Sequence, residues 1–463
     1  MKLILGNVYS RVVLDPYEEK VFASAVKKTQ VFAPGYRYTK LFKLRKWDGK
    51  VAIYGKDVLT GLVPSLVDDF STYGLVVNSI HDNRKLINHK LKPTNIPLRD
   101  YQSAAIKSAF SNMWPAQSGQ QTWWPRGVIS MATGGGKTRV AAAMIQMLDV
   151  PTIFIVHRKD LMYQTVEVFR GFGIDAGCVG DGLRDVRKVT VATIQTLQVN
   201  LAVADFSKFK QLFIDEAHLC AADLERGNQF VKIAARIPAV FRWGLSGTPF
   251  MKDKYSDRLL EGTTGRVVYE VNNRELINRG YLAEGKVTMF DMPAQQGISN
   301  SWPKCYDDGI VVNGARNQKV IDSIQGLQKP MLVLVQKIGH GELLEKMATN
   351  QGLNVKFLNG KSSTDIRREA VTLLKQNKVE AIIATTIFDE GIDIPEIRTV
   401  ILAGGGKSPI KNLQRLGRGL RKTNGKNEVE IVDFYDRGTR WLSSHSRERK
   451  NLWENQGFTV NVV

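Results

Sequence analysis

The sequence has little of what marks secreted, membrane-spanning or metal-built proteins. Its three cysteines, Cys178, Cys220 and Cys305, lie far apart and form no CxxC pair. That leaves neither a zinc-ligand pattern nor a disulfide framework, and it fits a reducing compartment. Apolar runs are short, such as Met331–Val335, where a membrane span needs roughly eighteen residues. Lys2 followed by Leu3-Ile4-Leu5 is too brief for a signal-peptide core. There is no low-complexity tract, and no repeat with a period of roughly 20–50 residues. These absences predict a cytoplasmic protein with no membrane partner. Acidic residues are also in deficit, 45 Asp and Glu against 65 Lys and Arg, for a net charge of +20.

The chain is 463 residues long, 43% hydrophobic and 24% charged, which is ordinary for a globular protein and leaves room for about three domains. The positive excess is spread out. Residues 1–95, 96–270 and 271–463 carry net charges of +8, +5 and +7, so it is not a detachable tail. A polyanionic partner is the natural expectation, although charge alone does not separate DNA, RNA and an acidic membrane surface.

Texture along the chain changes at the same points. Residues 1–95 alternate β-branched or aromatic runs (Leu3–Val8, Leu41–Tyr54, Gly74–Ile80) with turn signals. Asp15–Lys27 reads as a helix with Asp15 as N-cap and Pro16 in its first position. Together these predict a small α+β domain, closed by a proline-bearing linker at Lys90–Pro97. From Leu98 onward, apolar runs alternate with helix-length segments, and the pattern occurs twice. Strands are expected near 127–132, 151–157, 211–215 and 242–246, then near 331–335, 355–358, 380–385 and 399–403. Helices are expected at 137–148, 343–350, 365–375 and 409–421. Such alternation means parallel sheets, hence two α/β domains over 96–270 and 271–463. The segment 284–309 shows no clear period. Trp114, Trp123 and Trp124 sit among turn-forming residues, which predicts an insertion loop. Its tryptophans either pin the loop to its own domain or wedge a duplex.

The sharpest motif is Ala132-Thr-Gly-Gly-Gly-Lys-Thr138, between an expected strand and an expected helix. Glycines let backbone amides turn toward an anion, and with the helix N-terminus they form a phosphate cradle. Thr133, Gly134, Gly135 and Gly136 would supply the amides, Lys137 would reach the terminal phosphates, and the Thr138 hydroxyl would ligate Mg²⁺. The strict pattern has Gly where Met131 stands. The second motif, Leu212-Phe-Ile-Asp-Glu-Ala-His218, ends an apolar strand with two carboxylates, at the strand end where open α/β sheets bind ligands. Asp215 is suited to hold the metal and Glu216 to deprotonate an attacking water. Further along, Gln414, Arg418 and Arg421 are spaced to share one helical face.

The combination of ATGGGKT, DEAH and Ser246-Gly-Thr-Pro249 resembles superfamily 2 helicases and translocases. The other motifs follow in the order of that family. Leu98-Arg-Asp-Tyr-Gln102 resembles its adenine-reading segment, which implicates Gln102. Val156-His-Arg-Lys-Asp-Leu161 and Thr193-Ile-Gln-Thr-Leu197 resemble its strand-gripping segments, which implicates Arg158 and Thr193. Residues 384–395, ATTIFDEGIDIP, resemble the second-domain coupling motif, with Thr385 toward nucleic acid and Gly391 and Asp393 toward nucleotide. Gln414-Arg-Leu-Gly-Arg-Gly-Leu-Arg421 resembles the arginine-finger motif. The resemblance covers roughly residues 97–455. It implies two tandem RecA-like domains with ATP and Mg²⁺ between them, and His218, Ser246 and Thr248 coupling hydrolysis to movement. The layout, with a small N-terminal domain carrying Trp47-Asp-Gly, is similar to phage UvsW-like branch-migration helicases.

On that basis the expected activity is ATP-driven remodelling of forked or branched DNA in recombination or repair, by a monomer or weak oligomer in a bacterial or phage-infected cytoplasm. Two other activities fit the same motifs: a duplex-DNA translocase subunit of a restriction or remodelling complex, and an ATP-gated nucleic-acid clamp without turnover. Residues 36–50 add a local case for nucleic acid. Lys43, Arg45, Lys46 and three other nearby cations, Arg37, Lys40 and Lys50, interleave with aromatics that include Trp47. Such a segment either binds phosphates and bases or is a two-faced strand with its aromatics in a core.

Overall fold

The computed structural model describes the whole chain except residues 87–89, 116–120, 133, 200–205, 222–228, 251–252, 296, 300, 386–395, 407–427 and 456–457. It divides into two compact units. One comprises Met1–Met131 and Gly136–Val271, the other Asn272–Val463 with the short stretch Ala132–Gly135.

The first unit contains two main sheets. The smaller has four strands, in the order Asp57–Leu59, Tyr9–Val13, Lys2–Leu5, Ser79–Asp82. The larger has eight, in the order Leu183–Arg184, Ala176–Gly180, Val189–Thr193, Thr152–Val156, Gln211–Asp215, Phe241–Ser246, Arg126–Met131, Val267–Val271. Every pairing in it is parallel except that of Leu183–Arg184 with its neighbour. Its central strands are buried throughout, as expected of a sheet with helices on both faces. The second unit is a seven-stranded, wholly parallel sheet. Both large sheets have the RecA-like arrangement.

The strands expected at 211–215 and 355–358 and the helix at 137–148 form as expected. Other local expectations are corrected. The first helix is Glu18–Lys28, so it starts two residues after Pro16; residues 16–17 form a turn leading into it, in which the Glu18 N–H donates to the Asp15 carbonyl at 2.9 Å. Leu41–Tyr54 is not a strand run. It is a helical turn at Lys40–Lys43 followed by a two-residue strand at Lys50–Val51. The segment without a readable period holds a nine-residue strand, Glu284–Met292, then a helix at Trp302–Tyr306. The expected helix at 409–421 lies outside the described residues.

The expected loop carries strands of its own: Met113–Pro115 pairs antiparallel with Gln121–Trp123. Its tryptophans do pin it: Trp123 to its own domain, against Phe241, and Trp114 and Trp124 to the N-terminal sheet. Trp114 and Trp124 are buried in one core with Leu3, Leu5, Phe22 and Phe70. Trp123 donates its indole N–H to the Phe110 carbonyl at 2.9 Å. Burial of Trp114 and Trp124 removes them as wedge candidates.

The N-terminal sheet is held to the larger one by further contacts. Arg126 donates to the Asn7 carbonyl at 2.7 Å, and Asn7 donates to the Pro238 carbonyl at 2.9 Å. Ser65 donates to Glu261, and Arg258 pairs with Asp69. At Gly61 the backbones meet so closely that a Cβ would fall 2.1 Å from the Glu261 carbonyl oxygen, so only glycine fits there.

Candidate nucleotide site and nucleic-acid surface

The buried strand Arg126–Met131 delivers the chain into the glycine loop, and the helix Lys137–Leu148 leaves it. Gly134 and Gly136 have φ of +85° and +87°, a region that costs other residues energy. These turns aim the first helical N–H groups, which have no intrahelical partner, toward the loop. Gln102 lies against the same turn. A Cβ at position 136 would come 2.4 Å from Gln102 Nε2. Gln102 is buried in the helix Asp100–Phe110, and its Oε1 accepts the Arg99 N–H at 3.0 Å. The adenine-reading candidate and the phosphate loop are thus in contact.

The strand Gln211–Asp215 ends beside this loop's lysine: Lys137 Nζ is 3.9 Å from Glu216 Oε1. Glu216 has φ of +46°, an unusual conformation for a glutamate and typical of functional sites. Its N–H donates to Asp215 Oδ1 at 3.0 Å. His218 Nδ1 is 3.4 Å from Glu216 Oε2 and 3.1 Å from Ser246 Oγ. Ser246 Oγ in turn accepts the Thr248 N–H at 3.2 Å. One continuous chain of polar contacts therefore runs from Lys137 through Glu216, His218 and Ser246 to Thr248.

Loss of hydration, and then the charge of Glu216, push the Asp215 carboxyl above its ordinary range, against opposing pulls from Lys137, the Glu216 N–H and His157. A divalent cation would reverse that penalty. Among the described residues no cluster of three or more His, Cys, Asp or Glu forms a closed metal cage. One carboxylate and one hydroxyl, from Asp215 and the half-buried Thr138, fit the sparse oxygen set that Mg²⁺ takes beside phosphates.

Residues 95–251 match the family described as "Type III restriction enzyme, res subunit", and residues 316–423 match the "Helicase conserved C-terminal domain". The chain belongs to the superfamily 2 helicases. Relatives of this helicase include a helicase of Sulfolobus islandicus filamentous virus, 25% identical over 93% of this chain and 78% of that protein. The DNA 3'-5' translocase XPB2 of Sulfurisphaera tokodaii is 24% identical over 74% of this chain and 82% of that protein. The ATP-dependent DNA helicase uvsW of Enterobacteria phage T4 is 23% identical over 92% and 89%. A fragment of an HsdR subunit of a type I restriction enzyme from Vibrio vulnificus shares the fold. Its TM-score is 0.61 at 18% identity, over 80% of this chain and 69% of that one.

The strand-gripping candidates of the helicase are placed unequally. Arg158 is the half-buried residue that precedes the helix Lys159–Gly171. Thr193 is buried, and its hydroxyl is bonded to that of Thr196 at 2.9 Å. Thr385 is also buried, its N–H donating to the Leu358 carbonyl at 3.2 Å. Both threonines are thus almost wholly covered, at 4% and 6% exposed. Gln195, which the motif reading passed over, donates to the His157 carbonyl at 2.8 Å and so ties the two strand-gripping segments together. No helix among the described residues is long and apolar enough to cross a membrane. Lys43, Arg45 and Lys46 are exposed, and Trp47 is half-buried, its indole N–H donating to the Lys50 carbonyl at 2.8 Å. Thr133, Gly391, Asp393, Gln414, Arg418 and Arg421 lie outside the described residues.

Proposed function

We propose that this helicase is an ATP-dependent DNA motor that remodels forked or branched DNA. The observation that carries the proposal is the contact chain Lys137–Glu216–His218–Ser246–Thr248. Lys137 is placed to hold terminal phosphates. Glu216, 3.9 Å from that ammonium, is placed to take a proton from the attacking water. Its left-handed backbone fixes the carboxylate beside the lysine. His218 and Ser246 pass any shift of Glu216 to the Ser246-Gly-Thr-Pro249 segment, the link a motor needs between hydrolysis and movement. Gln102, packed on Gly136, senses whether the loop is filled. Mg²⁺, held by Asp215 and Thr138 when bound, would neutralise phosphate charge.

Arg418 and Arg421, with Gln414, are the arginine fingers, and Gly391 and Asp393 add nucleotide contacts in this reading. Fingers of this kind contribute roughly 10³–10⁵ in rate. A polyanionic track is favoured by the positive charge spread over the whole chain, and DNA as that track by the names of the phage T4 and Sulfurisphaera relatives. Arg158 and the basic segment around Lys43, Arg45, Lys46 and Trp47 are the proposed contacts. Branch-migration and unwinding assays on forks, Holliday junctions and RNA duplexes test the proposal. ATP-dependent conversion of branched DNA is expected, and activity confined to RNA duplexes would overturn it.

A further inference from the structure

Residues 31–51 form a small projecting module with an inside and an outside. Val31–Phe32 pairs with Lys50–Val51. Between them the chain makes a helical turn at Tyr36–Tyr38 and a short helix at Lys40–Lys43, capped by the Thr39 hydroxyl. Phe32 stacks on Tyr36 with centroids 4.6 Å apart, and Phe42 meets Tyr36 edge-on at 4.8 Å. Gly49 leaves room for the Tyr36 ring, which a Cβ would approach to 2.3 Å. These aromatics pack on one another within the module, with Tyr36 and Phe42 half-buried and Phe32 49% exposed.

Its outer side chains have no such role. Tyr38 is 83% exposed, Leu41 56% and Leu44 53%. Leu41 and Leu44 lie one helical turn apart, so they share a face. Three apolar side chains this exposed in one short segment mark a contact surface. The charge around them identifies the partner. Residues 36–50 contain six Lys and Arg and one acid, Asp48, whose Oδ1 accepts the Lys50 N–H. The cleft of about 1160 Å³ on the inner side of the module is lined by equal numbers of acidic and basic residues, five of each, and offers phosphate no net attraction. The basic outer face does.

The turn after the short helix supplies an independent observation. The Lys46 N–H donates to the Leu41 carbonyl and the Arg45 N–H to the Phe42 carbonyl, both at 2.9 Å. This paired closure puts one residue in the left-handed region, where glycine is favoured. That residue is Arg45, with φ of +56°. An arginine there costs stability that glycine would not, and its side chain is exposed next to Leu44 in the chain.

We propose that the outer face of this module reads the end of a DNA duplex at a branch. Tyr38, Leu41 and Leu44 pack against the terminal base pair, and Lys43, Arg45 and Lys46 hold the flanking phosphates. The proposal rests on the DNA-motor reading above and deepens it, because it assigns branch preference to named side chains. A continuous duplex offers only phosphates to this face, whereas a branch offers phosphates and a bare base plane.

The test uses the full chain, with affinities for a three-way junction whose arms are capped by hairpin loops and for a covalently closed duplex circle, which has no ends, measured at several salt concentrations. In Tyr38→Ala/Leu41→Ala/Leu44→Ala the junction-to-duplex affinity ratio should fall by about fivefold or more, the range of lost base stacking. The salt dependence should keep its slope, since no phosphate contact is removed. Arg45→Gly should do the reverse: the slope falls by about 0.9, and the melting temperature holds or rises because glycine suits the turn. An unchanged ratio in the apolar variant, or an equal loss of affinity on both DNAs, overturns the proposal. Wild-type ATP turnover measured with and without duplex checks the motor reading separately. No stimulation by DNA fells that reading and this one, whereas stimulation with an unchanged ratio fells this one alone.

Discussion

Gly136 and Gln102 touch so closely that a side chain at 136 would displace the Gln102 amide: a Cβ would stand 2.4 Å from Gln102 Nε2. The contact joins the turn that cradles phosphate to a helix that begins at Asp100, 36 residues earlier in the chain. Gly136→Ala therefore faces two penalties. A left-handed alanine costs about 1–2 kcal/mol, and the Gln102 amide must move away. Gly136→Ala should weaken ATP binding and lower the melting temperature. Adding Gln102→Ala should recover the steric part and leave the backbone part. Melts of the two variants with and without nucleotide check this. Full recovery by Gln102→Ala would show that the φ of +87° carries no cost.

Removing the phosphate-binding charge should separate binding from folding. Lys137→Ala should abolish ATP turnover while nucleotide-free DNA binding survives, because the DNA contacts proposed here lie elsewhere in the chain. ATPase and DNA-binding assays on the same preparation read both. Near-normal turnover in this variant would remove the loop as the nucleotide site.

The N-terminal sheet should not behave as a detachable module. Trp114 and Trp124, from the segment that follows the first helix of the larger sheet's domain, complete its core. Trp114→Ala should cost about 3–5 kcal/mol and lower the unfolding temperature of the first unit. Residues 96–271 expressed alone should expose those indoles and aggregate. Limited proteolysis and calorimetry measure both effects.

Acid should destabilise the second unit through His340. The ring is fully buried in the helix Ile338–Asn350, with Nε2 2.9 Å from Asn317 Oδ1. Burial, and then Arg316, lower its pKa from 6.5 to about 3. Between those values the unfolded chain binds a proton that the folded chain refuses. Stability is therefore complete above about pH 6.5 and declines as pH falls toward 3, by roughly 1.4 kcal/mol per unit, or about 2 kcal/mol at pH 5. His340→Asn should remove that part of the slope, as denaturant titrations at pH 7 and pH 5 would show.

Periodicity and motif spacing carried the larger architecture. Strands buried on both faces, such as Met331–Leu334 and Ala381–Ala384, are continuous apolar runs bounded by turns. The strand Glu284–Met292 was not legible because Gly285 occupies an inward position and Phe290 falls out of phase, which leaves only Val287 and Met289 to alternate with Lys286 and Thr288. Leu41–Tyr54 misled because its aromatics suit a strand in isolation, whereas Phe42 and Tyr36 meet across a helical turn. At the site, the residue types of Lys137, Asp215 and Glu216 were legible from spacing. The φ of +46° at Glu216, the Gln195–His157 link and the packing of Gln102 on Gly136 were not. Those are tertiary contacts, and no local pattern encodes them.

The most direct test of the motor reading is ATP turnover of Glu216→Gln, with and without DNA, beside the wild type. The amide keeps the shape and loses the basic oxygen. The wild type should be stimulated by DNA. Glu216→Gln should still bind ATP and Mg²⁺ yet hydrolyse about 10²–10⁴ times more slowly, and DNA should not restore its rate. Near-normal hydrolysis by Glu216→Gln would mean that the carboxylate 3.9 Å from Lys137 is not the base, and the strand Gln211–Asp215 would no longer mark the catalytic centre.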